Sequence, residues 1–242
     1  MNVHLLTFGS GEGWRNARQR TGAAAKACGF RALVCDETCL GLWPHHGWAQ
    51  TPAGARGYGY WGWKPYLAGR HVTQLLAWPT SYGLPGAVGD DFLVYSDAGN
   101  LLAPSDGWAR YLDVAREHGG CFFAHPPSTR DSRYTKADLL DHFDHGTYSR
   151  AGMIWAGAWI LRVDEKALTL LRHWSAWYDS ADHHYVDDSP SRRPNTPDFV
   201  EHRHDQSVFS LLVKSRYSPA CWLSEQDECS RAGSPIHAAR VR

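Results

Sequence analysis

Residues 91–96, Asp-Phe-Leu-Val-Tyr-Ser, run apolar into a lone carboxylate, Asp97, and the chain then breaks at Ala98 and Gly99. An apolar run of this length, bounded by turn residues, reads as a strand buried on both faces, and such strands sit in sheets covered by helices on each side. The opening of the chain repeats the pattern. Residues 3–8 read as a buried strand, "GSGEG" (9–13) as a loop, the Ala-rich stretch 14–28 as a helix, and 31–37 as a second strand. Strand, helix and strand in that order predict an α/β domain with a mainly parallel central sheet.

Further along, residues 38–57 are rich in Pro, Gly, His and Trp and read as a long loop. Helices are predicted at 64–78, 106–120, 135–143, 164–178 and from about 205 to 214, a strand at 121–126, and at 153–162 either a strand pair or one strand kinked at Gly157. Pro65 suits a first helical turn, Asp106 and Asp164 suit N-caps, and Gly119 suits a helix stop. A Gly/Pro loop is expected at 79–89, a polar loop at 179–203, and an irregular tail from about 222. No internal repeat or linker divides the chain, so residues 1–242 read as one domain.

Lys+Arg and Asp+Glu each number 25 in 242 residues. This balance leaves room for a local basic patch but gives no overall phosphate-neutralising charge, so nucleic acid is not indicated as a partner. The start carries no basic segment followed by a long apolar one, and no apolar run reaches membrane-span length. Six scattered Cys, at 28, 35, 39, 121, 221 and 229, read as reduced thiols, and a cytoplasmic location is expected. His45, His46, His183 and His184 fall as adjacent pairs rather than at zinc-ligand spacing, so zinc is not expected.

In open α/β sheets, ligands bind beyond the carboxyl ends of strands. Asp97 stands at such an end, and Ala98 and Gly99 let a ligand approach the backbone. A turn-capping Asp is the bland alternative. Phe8, Gly9 and Ser10 stand at the end of the first strand, where "GSGEG" either cradles a nucleotide or forms a plain loop. "RGYGYWGWKPY" (56–66) supplies Arg56, Tyr60, Trp61, Trp63 and Lys64. Lys64 at a helix start opposes the helix dipole, which favours a phosphate contact over a merely exposed lysine. Trp61 and Trp63 fit either stacking on a sugar or base, or core packing. "WAGAW" (155–159) places Ala156 and Gly157 inside a strand, where a ligand can come close. "EHRHDQS" (201–207) sets Asp205 and Gln206 at a helix start. Asp187, Asp188 and Ser189 form either an acceptor contact or a solvated loop.

"GYWGWKPY", "YSDAG" and "HRHDQS", in that order, resemble bacterial GT-A-fold glycosyltransferases of the capsule and polysaccharide type. They are more distantly similar to the family 8 retaining glycosyltransferases. The resemblance covers residues 3 to about 215. It implies a Rossmann-like nucleotide-diphospho-sugar transferase domain, a nucleotide-sugar donor that is usually UDP-linked, a hydroxyl acceptor and a divalent cation, Mn or Mg. It further implies that Asp97 binds the metal and that Asp205 and Gln206 are catalytic. The remaining residues, Phe8, Gly9, Ser10, Arg56, Tyr60, Trp63, Lys64, Ala98, Gly99, Ala156 and Gly157, would bind the donor. Gly99 stands where the family 8 pattern has a second metal carboxylate. Two other readings fit an α/β layout: a non-catalytic nucleotide or carbohydrate binder, and a sugar-phosphate nucleotidyltransferase. The latter lacks a Gly-rich signature with a following Arg-Lys pair near residue 9.

Overall fold

The structure, a computed structural model, describes residues 1–81, 90–143, 152–180, 182–230, 233–239 and 241. Its centre is a six-stranded sheet. We number its strands β1 (Asn2–Phe8), β2 (Arg31–Cys35), β3 (Asp91–Ser96), β4 (Gly120–Ala124), β5 (Ile154–Arg162) and β6 (Trp222–Ser224). The order across the sheet is β2-β1-β3-β5-β4-β6. β2, β1 and β3 run parallel, and so do β4 and β6, while β5 is antiparallel to both of its neighbours. Every strand but β5 therefore points the same way, which makes this an α/β fold with a mainly parallel sheet.

The principal helices are α1 (Arg15–Ala27), α2 (Trp63–Ser81), α3 (Gly107–His118), α4 (Glu165–Ala176) and α5 (His204–Arg216). Strand side chains alternate between two apolar layers. Val3, Leu5, Phe92 and Val94 pack with Ala25 of α1 and with Trp108, Tyr111 and Leu112 of α3. Leu6, Phe8, Leu93 and Tyr95 pack with α2, α4 and α5 through Leu67, Leu171 and Phe209. Helices on both faces explain why the strands carry no polar face. α1 approaches β2 closely because Gly22 has no side chain; a Cβ there would stand 2.4 Å from Val34.

Local expectations are met in part. Asp164 caps α4 by accepting from the Ala167 amide at 2.8 Å. Asp106 makes no side-chain cap; Ser105 Oγ accepts from the Gly107 amide instead. The loop read at 38–57 contains short helical turns at Glu37–Leu40 and His46–Ala49. Residues 82–89 of the predicted loop lie outside the described residues. The tail is not irregular. Trp222–Ser224 is the edge strand β6, Glu225–Cys229 is a short helix, and Ile236–His237 pairs with Leu101–Leu102. Three residues carry little periodicity, so β6 was invisible until β4 supplied a partner. No helix among the described residues is long and apolar enough to cross a membrane.

Candidate active site

The carboxyl ends of β1 and β3 open onto a cleft of about 880 Å³, within the range of small-molecule sites. The start of β5 lies at the same edge because β5 runs antiparallel, pairing Ala158 with Ser96. Along β5, the inward-facing set shifts from Ile154 and Ala156 to Trp159 and Leu161. The register against β4 breaks at the same place. This irregularity sits at Gly157, beside the cleft, where bulges commonly re-aim a strand. A side chain at 157 would stand 2.4 Å from the Trp155 ring.

The Asp97 turn is held from three sides. The Asp97 amide donates to Gly157 O at 2.9 Å. Asn100 Nδ2 donates to the same carbonyl at 2.9 Å, and Thr21 Oγ1 of α1 donates to Ala98 O at 3.1 Å. The loop after β1 is anchored by Arg18, which donates to Gly9 O at 2.6 Å and pairs with Asp36 at 3.0 Å. Gly9 is needed there, since a Cβ would sit 2.7 Å from Trp14 Cβ.

The opposite rim is built from residues 57–61. All five have positive φ: Gly57 57°, Tyr58 54°, Gly59 81°, Tyr60 47° and Trp61 63°. They form a single left-handed turn, with the Tyr60 amide bonded to Arg56 O at 2.7 Å and the Trp61 amide to Gly57 O at 3.2 Å. Left-handed helical backbone costs about 1–2 kcal/mol per non-glycine residue, so Tyr58, Tyr60 and Trp61 together store roughly 3–6 kcal/mol. The surroundings hold it in place. Tyr178 Oη donates to Tyr60 O at 2.7 Å, and Trp63 Nε1 donates to Gly57 O at 3.0 Å. Backbone strain of this kind gathers at functional sites. His204, whose ring stacks on Trp61 at 5.8 Å, also has positive φ, at 49°.

At the centre lies Lys64, not exposed at a helix start but only 3% accessible. Its Nζ is 2.9 Å from Asp205 Oδ2, 3.3 Å from Asp97 Oδ1 and 3.3 Å from Ala156 O. Burial opposes its charge, yet Asp205 and Asp97 more than offset this and raise its pKa above the ordinary lysine value. Asp205 is also buried, and burial pushes its carboxyl up to about 6 despite Lys64. Tyr95 Oη donates to Asp97 Oδ1 at 2.5 Å. Burial, followed by the Asp97 charge, pushes the Tyr95 phenol well above its usual range. Gln206 Oε1 accepts from the Ala156 amide at 3.4 Å.

Of the residues singled out from sequence, Phe8, Gly9, Ser10, Arg56, Trp63, Lys64, Asp97, Ala98, Gly99, Gly157, Asp205 and Gln206 line this one cleft. Trp63 is nonetheless mostly buried and stacks on Phe8 at 4.0 Å. Tyr60 and Ala156 are buried and stand behind the lining. Tyr60 Oη donates to Asp188 Oδ2 at 2.7 Å, and burial with that bond pushes the phenol up to about 12. Asp188 also holds Arg56 at 2.6 Å, and Asp187 pairs with buried Lys136 at 3.2 Å, so the segment is not simply solvated. His45 lies 3.0 Å from Asp179, and His183 stacks on Trp48 at 3.6 Å.

The cleft includes residues that sequence reasoning passed over, notably Trp14, Tyr58, His125, Trp155, His202 and His204. Burial, then Arg56, lowers the His204 imidazole to about 4, and burial, then His204, lowers that of His202 well below the ordinary value. Both rings are therefore neutral at pH 7. The flanking of Asp205 by "EHRH" was the available signal for the His202–His204 segment.

Among the described residues, no group of three or more His, Cys, Asp or Glu could hold a metal ion. Asp97 Oδ1 is committed to Tyr95 and Lys64, while the carboxylate is 39% accessible. One accessible carboxylate suits a hard cation held mainly by a ligand's phosphates, not one caged by protein alone.

No protein-family model matches the chain, and no curated protein matches it. Among solved structures, it is similar to the galactosyltransferase LgtC in complex with donor and acceptor sugar analogs, at 14% identity and TM-score 0.43, over 93% of this chain and 74% of that one. It is similar to mouse xyloside xylosyltransferase 1 at 12% identity and TM-score 0.40, over 93% and 85%. It is also similar to a putative glucose-1-phosphate thymidylyltransferase from Bacillus anthracis at 11% identity and TM-score 0.34, over 75% and 78%.

Proposed function

We propose that this protein is a glycosyltransferase that moves a sugar from a nucleoside diphosphate sugar, UDP-linked by resemblance, to a hydroxyl acceptor. One observation carries the reading. The three motifs of the resemblance lie far apart in sequence, yet each sends one ionisable side chain to the same point: Lys64 from "GYWGWKPY", Asp97 from "YSDAG" and Asp205 from "HRHDQS". Structural packing alone would not need two carboxylates and an ammonium inside a cleft at the strand ends.

The Gly9 loop and the Asp97-Ala98-Gly99 turn give a diphosphate close approach to the backbone. Asp97 would share a divalent cation, Mn or Mg, with the donor's phosphates, and such an ion offsets charge on the departing diphosphate. Lys64 fixes both carboxylates. Asp205 and Gln206 stand on the first turn of a helix whose later residues are buried, so they are rigid enough to orient sugar hydroxyls and the anomeric carbon.

The test is a thermal-shift and calorimetric screen of UDP, other nucleotides and nucleotide sugars, with and without manganese, followed by UDP release. A binder without turnover would shift in melting temperature but release no UDP. A nucleotidyltransferase would instead form pyrophosphate from a nucleoside triphosphate and a sugar phosphate. Failure of every nucleotide to bind would refute the reading.

A further inference from the structure

β4 and β6 are adjacent parallel strands in the register Phe122↔Trp222, Phe123↔Leu223 and Ala124↔Ser224. The next residue of each strand is therefore delivered to the same level at their shared carboxyl ends: His125 and Glu225. His125 Nδ1 lies 3.4 Å from Glu225 Oε2. Their side chains are only 17% and 15% accessible. His125 lines the cleft that holds Lys64, Asp97 and Asp205.

The histidine is held firmly. Its amide donates to Met153 O at 2.8 Å. Gly152 packs so tightly on its carbonyl that a Cβ would stand 1.8 Å from the oxygen. Pro126 and Pro127 follow directly and stiffen the exit. A carboxylate beside Nδ1 favours the proton on that nitrogen and leaves the Nε2 lone pair available. Nε2 makes no hydrogen bond to another described residue.

We propose that His125, oriented by Glu225, is the base that accepts the acceptor's proton during transfer; this rests on the glycosyltransferase reading above. The acceptor oxygen forms a bond to the anomeric carbon of the donor. The bond from that carbon to the diphosphate oxygen breaks, and its electron pair leaves with the diphosphate. The hydroxyl proton passes to His125 Nε2, and Glu225 balances the imidazolium until the proton returns to solvent. Glu225 acts as a positioning residue.

Water serves as the acceptor in the test, with UDP-glucose, UDP-galactose and UDP-N-acetylglucosamine as donor probes. His125→Ala and His125→Asn should lower UDP release by about 10²–10⁴-fold with unchanged UDP affinity. Added imidazole should restore part of the rate to His125→Ala. Nitrogen-15 spectra of the wild type should show His125 protonated on Nδ1, and Glu225→Gln should shift that signal and lower the rate less than His125→Ala does. Wild-type rates in both histidine variants, or a His125 proton on Nε2, would each overturn the proposal. A wild type that releases UDP while the variants match it refutes only this role. A wild type that binds no nucleotide refutes the functional reading, and the proposal with it.

Discussion

Replacing Lys64 with Met keeps the length of the side chain and removes its charge from the centre of the cleft. The effect on stability depends on pH in a way that can be worked out from Asp205. Burial and Lys64 together place the Asp205 pKa at about 6, against roughly 3.9 for a carboxyl in the unfolded chain. The folded value is raised, so ionisation of Asp205 weakens the fold as pH climbs from about 4 to about 6, by roughly 3 kcal/mol, and no further above that. In Lys64→Met the neighbouring cation is gone, and the Asp205 pKa rises beyond 6. The variant therefore goes on losing stability where the wild type has levelled off. The gap opens at about 1.36 kcal/mol per pH unit above 6, reaching about 2 kcal/mol at pH 7.5. At pH 5, where Asp205 is mostly protonated in both proteins, this gap closes. For a chain of this size, 2 kcal/mol corresponds to about 4–8 °C in Tm. Differential scanning fluorimetry from pH 5 to 8 reads it directly, and adding Asp205→Asn to Lys64→Met should flatten the difference. An equal Tm deficit at pH 5 and pH 7.5, or none at pH 7.5, would show that Lys64 does not hold Asp205 in its charged form.

Asp97→Asn should preserve Tm to within a few degrees and remove the part of nucleotide affinity that depends on manganese; calorimetry with and without chelator checks this, and an unchanged manganese effect would remove Asp97 from metal binding. Gln206→Ala should lower kcat for UDP release more than it lowers donor affinity, as for a contact made mainly in the transition state; wild-type turnover would place the amide in a structural role toward Ala156. Gly59→Ala should cost about 2–5 kcal/mol, because φ is 81° and the new Cβ would stand 2.5 Å from Trp43. Gly47→Ala, with open space around it, is the control and should change stability by no more than about 1 kcal/mol; denaturant melts compare the two.

Long, strongly patterned elements were legible in the sequence. β1, β3 and α4 declared themselves through apolar runs, small-residue breaks and the Asp164 cap. The cleft was legible to the extent that motif residues stand at strand or helix ends. What escaped depended on partners distant in sequence. The sequence pointed Lys64 toward a phosphate, because nothing local shows that Asp97 and Asp205 fold onto it. β6 is three residues long and becomes a strand only beside β4, which hid the pairing of His125 with Glu225. The left-handed turn was half visible, since Gly57 and Gly59 alternate with Tyr58 and Tyr60, but aromatic residues are poor predictors of positive φ. The Tyr178 and Trp63 hydrogen bonds, both from outside the turn, help to hold that backbone.

That turn has a consequence for the order in which the molecule assembles. Residues 57–61 have turn hydrogen bonds of their own, but two of the side-chain bonds that brace their strained backbone come from Tyr178, just beyond α4, and Trp63, at the start of α2. Substitutions within the turn should therefore change the unfolding rate more than the folding rate. In the native state, its amides should exchange with solvent through a local opening of lower free energy than the one that exposes β1 and β3. On warming, that wall of the cleft should open before the sheet melts, and the capacity to hold a ligand should go with it.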